Sequence, residues 1–234
     1  MSRLRRFTLS VLALATLMLT TAPFAHAQRT AGNAGWLRVM HASPDAPAVD
    51  IWLDDQPLLT NVEYSQFNNY VEAPAGNHRV TLTPAGASAE EAVVSAPVNI
   101  GDDKSYTVVA LGNLAELRAV VLEDERTART PLSTDARVRI VHAVPGGPNV
   151  DILRADRSGP GRDIVTNVGF AETTRYHNVA AGSTAIRIQP VGNDTELATL
   201  PAVEFEQDGV YTLVLLPTAD GQALQAVWLS DRTS

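Results

Sequence analysis

The chain has no cysteine and a single lysine, and only 6% of its 234 residues are aromatic. Without cysteine no disulfide can staple the fold and no thiolate can hold a metal, so the structure must rest on a hydrophobic core. The residue through which lipoproteins are usually anchored is missing for the same reason. Long apolar stretches are scarce too. The one continuous run, Phe7 to Leu19, is too short to span a bilayer comfortably.

That run is read as part of an export signal. Arg3, Arg5 and Arg6 precede it, and Pro23 and Ala25-His26-Ala27 follow, which makes residues 1–27 a secretory signal peptide cut before Gln28. Removing them takes three arginines and no acid from a formal net charge of −8, leaving −11. A surface of that sign repels phosphate backbones and anionic lipid headgroups, which argues against nucleic acid as a partner and against stable membrane insertion after cleavage. The expected location is outside the cytoplasm: periplasmic, cell-surface or extracellular.

The organisation is set by an internal repeat. Leu37-Arg38-Val39-Met40-His41-Ala42-Ser43-Pro44-Asp45-Ala46-Pro47-Ala48-Val49-Asp50-Ile51 returns as Val138-Arg139-Ile140-Val141-His142-Ala143-Val144-Pro145-Gly146-Gly147-Pro148-Asn149-Val150-Asp151-Ile152. Further matches follow. Asn61-Val62, Tyr70 and Ala75-Gly76 align with Asn167-Val168, Tyr176 and Ala181-Gly182; Tyr106-Thr107 aligns with Tyr211-Thr212; and Leu117 to Leu122 aligns with Leu224 to Leu229. The expected layout is a flexible segment 28–35, a first module 36–125, a polar linker 126–136 and a second module 137–234.

Within each module the segments are short, rich in Val, Ile, Thr and Tyr, and alternate in polarity as half-buried strands do. Leu37, Val39 and His41 share one face and Arg38 and Met40 the other. Turn residues interrupt at Asp54-Asp55-Gln56-Pro57, Pro74 to Asn77, Pro84 to Gly86 and Gly101 to Asp103, the last read as a hairpin. No long stretch carries helical apolar spacing between caps. The pattern predicts an all-β chain of two tandem antiparallel immunoglobulin-like β-sandwich domains, with a small barrel as the rival architecture.

The twice-repeated Arg-x-x-His-Ala-x-Pro-x-x-Pro-x-Val-Asp-Ile block resembles the signature of the family known as domain of unknown function 4397. The first copy, His41 to Asp50, is the closer match; the second departs at Val144, Gly146 and Gly147. The resemblance covers nearly all of residues 36–231. It implies an exported or surface-associated protein with tandem modules, and it brings no activity with it.

The strongest chemical constellation is His41 with Asp50, mirrored by His142 with Asp151. A carboxylate that fixes the imidazole tautomer makes a general base, and hydrolysis by water is the reaction such a pair could run. The competing structural reading turns His41 inward, in phase with Leu37 and Val39, to bond the backbone of the Pro44 to Pro47 loop. No complete catalytic set is present. Ser43 is replaced by Val144 in the second copy, and no Gly-x-Ser-x-Gly elbow occurs in the mature chain. His41, Asp45, Asp50, Asp54 and Asp55 could serve a metal, but the second copy keeps only part of that set and no calcium loop is present. Neither a metal nor a cofactor is therefore assigned. Pro44, Pro47, Pro145 and Pro148 belong to the structural motif, with Arg38 and Arg139, which could pair with a carboxylate or simply line a wet strand face. Trp52, aligned with Leu153, is the best single hint of a contact with a polysaccharide or another protein. The expectation is a non-catalytic module for adhesion, scaffolding or ligand binding, partnered by an envelope protein or polysaccharide. A hydrolase and a metal-binding envelope protein are the alternatives.

Overall fold

The computed structural model describes residues 33–125, 134–155 and 161–231. The signal peptide read at residues 1–27 lies outside these, as does most of the linker. The first half forms β1 (Ala34–Ala42), β2 (Val49–Leu53), β3 (Gln56–Val62), β4 (Val71–Pro74), β5 (Gly76–Pro84), β6 (Val94–Ile100), β7 (Ser105–Leu111) and β8 (Arg118–Asp124). The second repeats them as β9 (Asp135–His142), β10 (Val150–Ala155), β11 (Arg162–Val168), β12 (His177–Ala180), β13 (Gly182–Pro190), β14 (Ala198–Phe205), β15 (Val210–Pro217) and β16 (Leu224–Ser230). Among the described residues the helical content is confined to two single 3₁₀ turns, Ala89–Glu91 and Leu114–Glu116. Ala34, Gly35, Asp135 and Ala136 are thus strand residues, although the sequence reading left them in the lead segment and the linker.

Each half is a two-sheet sandwich. The first has sheets β4-β1-β7-β8 and β3-β2-β5-β6; the second has β12-β9-β15-β16 and β11-β10-β13-β14. Pairing is antiparallel except where β1 runs parallel to β7 and β9 parallel to β15. The β2–β3 hairpin turns on Asp54 and Asp55 at φ 48° and 64°, the left-handed pair that a two-residue primed turn demands. The Gly101 to Lys104 turn differs from expectation. It carries the chain from the edge of one sheet to the centre of the other, and so joins sheets rather than hairpin partners.

Alternation along the strands divides the side chains among three cores. Leu37, Val39, Ile51, Val80, Leu82, Ile100 and Val108 fill the first sandwich. Val138, Ile140, Ile152, Ile186, Ile188, Phe205 and Leu213 fill the second. The third core lies between the halves: Met40, Ala42, Val109, Leu111 and Leu122 pack with Val141, Ala143, Val214, Leu216 and Leu229. The sheets bearing β1 and β9 are therefore covered on both faces. Burying each large apolar side chain contributes about 2 kcal/mol, so a core of this size couples the two sandwiches strongly. Tyr64 adds a hydroxyl donated to the Pro217 carbonyl at 2.6 Å, and the Arg118 guanidinium lies 5.5 Å from the Phe170 ring centre.

Candidate functional site

The repeated histidines sit at the ends of β1 and β9, where a proline-stiffened loop turns back toward β2 or β10. His41 is fully buried and His142 almost so. The Ser43 backbone N–H donates to His41 Nδ1 at 3.3 Å, which leaves the proton on Nε2 to be donated to the Pro47 carbonyl at 3.1 Å. In the second copy the Val144 N–H and the Pro148 carbonyl take the same roles, at 3.3 and 3.0 Å. Because the donor at the third residue is backbone, Ser43 can become Val144 without changing the site. Burial pushes both imidazoles below the ordinary histidine range, with the proline carbonyl pulling back against it. These are neutral rings with both nitrogens engaged by the chain that carries them.

Asp50 and Asp151 turn elsewhere. Asp50 accepts the Asn61 N–H at 2.7 Å and the Gly86 N–H at 2.8 Å; Asp151 accepts the Asn167 N–H at 2.8 Å. Asn61 and Asn167 have φ 54° and 58°, and the β2–β3 and β10–β11 ladders shift register beside Asp50 and Asp151. The carboxylate pins a bulge whose asparagine holds a left-handed backbone. The structure places His and Asp of each motif in separate networks, His41 apart from Asp50 and His142 apart from Asp151. Asp45 is tied to the Leu114 N–H at 2.8 Å. Among the described residues, no three of His, Asp or Glu gather where a metal ion could be held. Nor is any described helix long and apolar enough to cross a membrane.

The arginines do not line a wet face. Arg38 and Arg139 are 2% and 3% exposed, because the face they share with Met40 and Val141 is covered by the other sandwich. Arg38 donates to Asp231 at 2.5 Å and to the Ser230 carbonyl at 2.9 Å. Arg139 makes the reciprocal bonds to Asp124 and to the Glu123 carbonyl. Each aspartate is held on its own side: Asp124 accepts Tyr70 OH at 2.6 Å and Thr107 OH at 2.8 Å, and Asp231 accepts Tyr176 OH and Thr212 OH at 2.7 Å each. Arg38 lies 4.4 Å over Tyr70 and Arg139 4.9 Å over Tyr176. Burial pushes Asp231 upward while Arg139 and Arg38 pull it back down. The Asp124 charge nearby adds to the upward push, while the Asp231 oxygens accept from Arg38, Tyr176 and Thr212. Burial raises both phenols far above their ordinary range, so they serve as donors throughout.

The sequence reading named the arginines and tyrosines of this cluster but missed Asp124 and Asp231. The signal was there: each aspartate stands two residues after the last leucine of an aligned strand, Leu122 or Leu229. Tyr106 and Tyr211 instead accept backbone N–H groups, of Gly101 at 3.2 Å and Glu206 at 3.1 Å.

The sequence profile of the family described as Domain of unknown function (DUF4397) matches the chain twice, over residues 35–153 and 136–234. The chain belongs to this family. Both DUF4397 matches begin with the strand that carries the His motif, and together they take in every residue of the crossed Arg–Asp cluster. No curated protein matches the chain. Among solved structures it is similar to a candidate cell adhesion protein from Bacteroides fragilis, at 10% identity, TM-score 0.22, with 85% of this chain and 98% of that one covered. One from Bacteroides uniformis gives 10% identity and TM-score 0.26, covering 85% and 98%. A candidate adhesin from Bacteroides ovatus gives 9% and 0.24, covering 86% and 94%.

Proposed function

We propose that this DUF4397 protein is an exported, non-catalytic binding or scaffolding component of the cell envelope, in which two sandwiches act as a single rigid body. One observation carries the reading: in both copies the His and Asp of the repeated motif are consumed by the backbone, the imidazole closing the proline loop and the carboxylate pinning a bulge. A general base needs a free lone pair facing solvent or substrate, and a buried ring whose Nδ1 already accepts a backbone N–H has none to offer. The crossed Arg–Asp pairs support the rigid-body part, since they remove the freedom that separate beads on a linker would have.

The test has two arms. Purified mature chain is assayed against ester, glycoside and peptide substrates, beside His41→Ala and His142→Ala; no turnover above the variants is expected, with lowered melting temperatures in both. Co-sedimentation with insoluble envelope polysaccharide then measures binding. Turnover that vanishes in His41→Ala while the melting temperature holds would overturn the reading in favour of a hydrolase.

A further inference from the structure

The first sandwich has a surface feature that its copy lacks. Trp52, on the outer face of β2, is half-buried, and its indole N–H donates to Thr83 Oγ1 at 3.0 Å. With the donor satisfied inside, the part of the ring left open is carbon. It lines a depression of about 530 Å³ shared with Asp55, Ser88, Ala89 and Glu90, between the β2–β3 turn and the 3₁₀ turn Ala89–Glu91. The second sandwich builds the same strand with Leu153, 5% exposed, so the fold does not require tryptophan there.

The acids around the ring come as two adjacent pairs, and in each pair one member is spent on the scaffold. Asp54 accepts His78 Nδ1 at 2.5 Å and the Arg79 N–H at 2.8 Å. Glu91 accepts the Ser88 N–H and hydroxyl, both at 3.3 Å. Asp55 and Glu90, the members that line the depression, are exposed and have no hydrogen-bond or ion-pair partner among the described residues. Two uncompensated carboxylates beside an indole face attract a cation, both by charge and through the ring quadrupole. A flat apolar ring on a polar surface suits the C–H face of a sugar as well.

We propose that this depression binds an amino sugar carrying a free ammonium group, within a wholly or partly deacetylated polysaccharide, the sugar ring resting on Trp52 and the ammonium held by Asp55 and Glu90. The site deepens the non-catalytic reading by naming its ligand class, and it rests on that reading only in expecting binding without cleavage. Net acidity of the chain outside residues 1–27 favours the same class over anionic glycans.

The test is calorimetric titration of the full mature chain at low salt with glucosamine hexasaccharide, N-acetylglucosamine hexasaccharide and hexalysine. The first is expected to bind, at least tenfold tighter than the other two, and to weaken in 0.5 M salt. Trp52→Leu, which installs the residue of the second copy, and the pair Asp55→Asn with Glu90→Gln should each lose at least tenfold while the melting temperature stays within a few degrees. Equal affinity for the acetylated sugar would remove the role of the ammonium, equal affinity for hexalysine that of the sugar, and unchanged binding in Trp52→Leu the site itself; absence of binding overturns the proposal altogether. If Trp52→Leu still co-sediments with envelope polysaccharide, the site fails and the general reading stands. Shortened oligosaccharide after incubation would leave the site standing and sink the non-catalytic reading.

Discussion

Removing the Asp124 carboxylate is the sharpest perturbation of the crossed cluster. In Asp124→Ala the Arg139 guanidinium, 3% exposed, keeps its place between the sandwiches and loses the carboxylate bonded to its Nη2, leaving only that of Asp231 at 4.0 Å. The Tyr70 and Thr107 hydroxyls lose their acceptor as well. Stripping one partner from a buried ion pair costs about 3–5 kcal/mol, because the other charge is left desolvated and uncompensated. For a chain of this size about 2–4 °C of melting temperature is lost per kcal/mol, so a drop of roughly 10 °C is expected. Chemical denaturation with a two-state fit gives the free energy directly. Replacing the pair together, as Arg139→Met with Asp124→Leu, should recover most of the loss, since matched apolar side chains in such a place are often neutral.

The pairing pattern makes the reasoning stricter. Double-mutant cycles should find coupling of roughly 1–3 kcal/mol between Arg139 and Asp124 and between Arg38 and Asp231, with much less between Arg38 and Asp124 of the same copy. A cost below about 1 kcal/mol for Asp124→Ala would be the value of a solvent-exposed pair and would mean that the interface is wet. Stronger coupling within a copy than across copies would refute the crossed arrangement itself.

The shared core predicts that both sandwiches melt in one calorimetric transition, and that a chain nicked between residues 126 and 133 still elutes as one species in native buffer. Asp50→Ala, which orphans the Asn61 and Gly86 N–H groups, should lower stability by about 1–3 kcal/mol in urea titrations. Acidification should weaken the fold through His41 and His142. Their folded values lie below the ordinary 6.5, so the unfolded chain binds more protons below that pH and stability falls as pH drops from 7 toward 5. Urea midpoints measured across that range should lose part of their slope in a His41→Asn, His142→Asn double variant; an unchanged slope would mean the rings titrate normally. Mass spectrometry of the exported protein should find Gln28 at its N-terminus.

What could be read from the chain and what could not divides along a physical line. Period-two alternation assigns a side chain to a face, and it set Leu37 and Val39 against Arg38 and Met40 correctly. It does not say whether the second face meets water, because an arginine on a strand looks the same whether solvated or paired. The answer was carried by a different signal. Val108 to Leu111 and Leu213 to Leu216 are apolar at consecutive positions, the mark of strands buried on both sides. Such a run in a sandwich of only two sheets demands a further layer, and in a duplicated chain the nearest layer is the other copy. Once the copies face each other, a residue repeated at equivalent places meets its counterpart's surroundings, so Arg38 reaches Asp231 and Arg139 reaches Asp124 across 193 and 15 positions of sequence. The His motif was legible only in part. Its spacing put imidazole and carboxylate on one loop, and turning His41 inward pointed it at the backbone of that loop; what Asp50 bonds is decided by the bulge at Asn61, a backbone feature no residue pattern announces. Duplication thus acts here as a packing device: the sandwich that buries the other's arginine also brings the carboxylate that arginine then requires, so burial of the charge and its compensation arrive together.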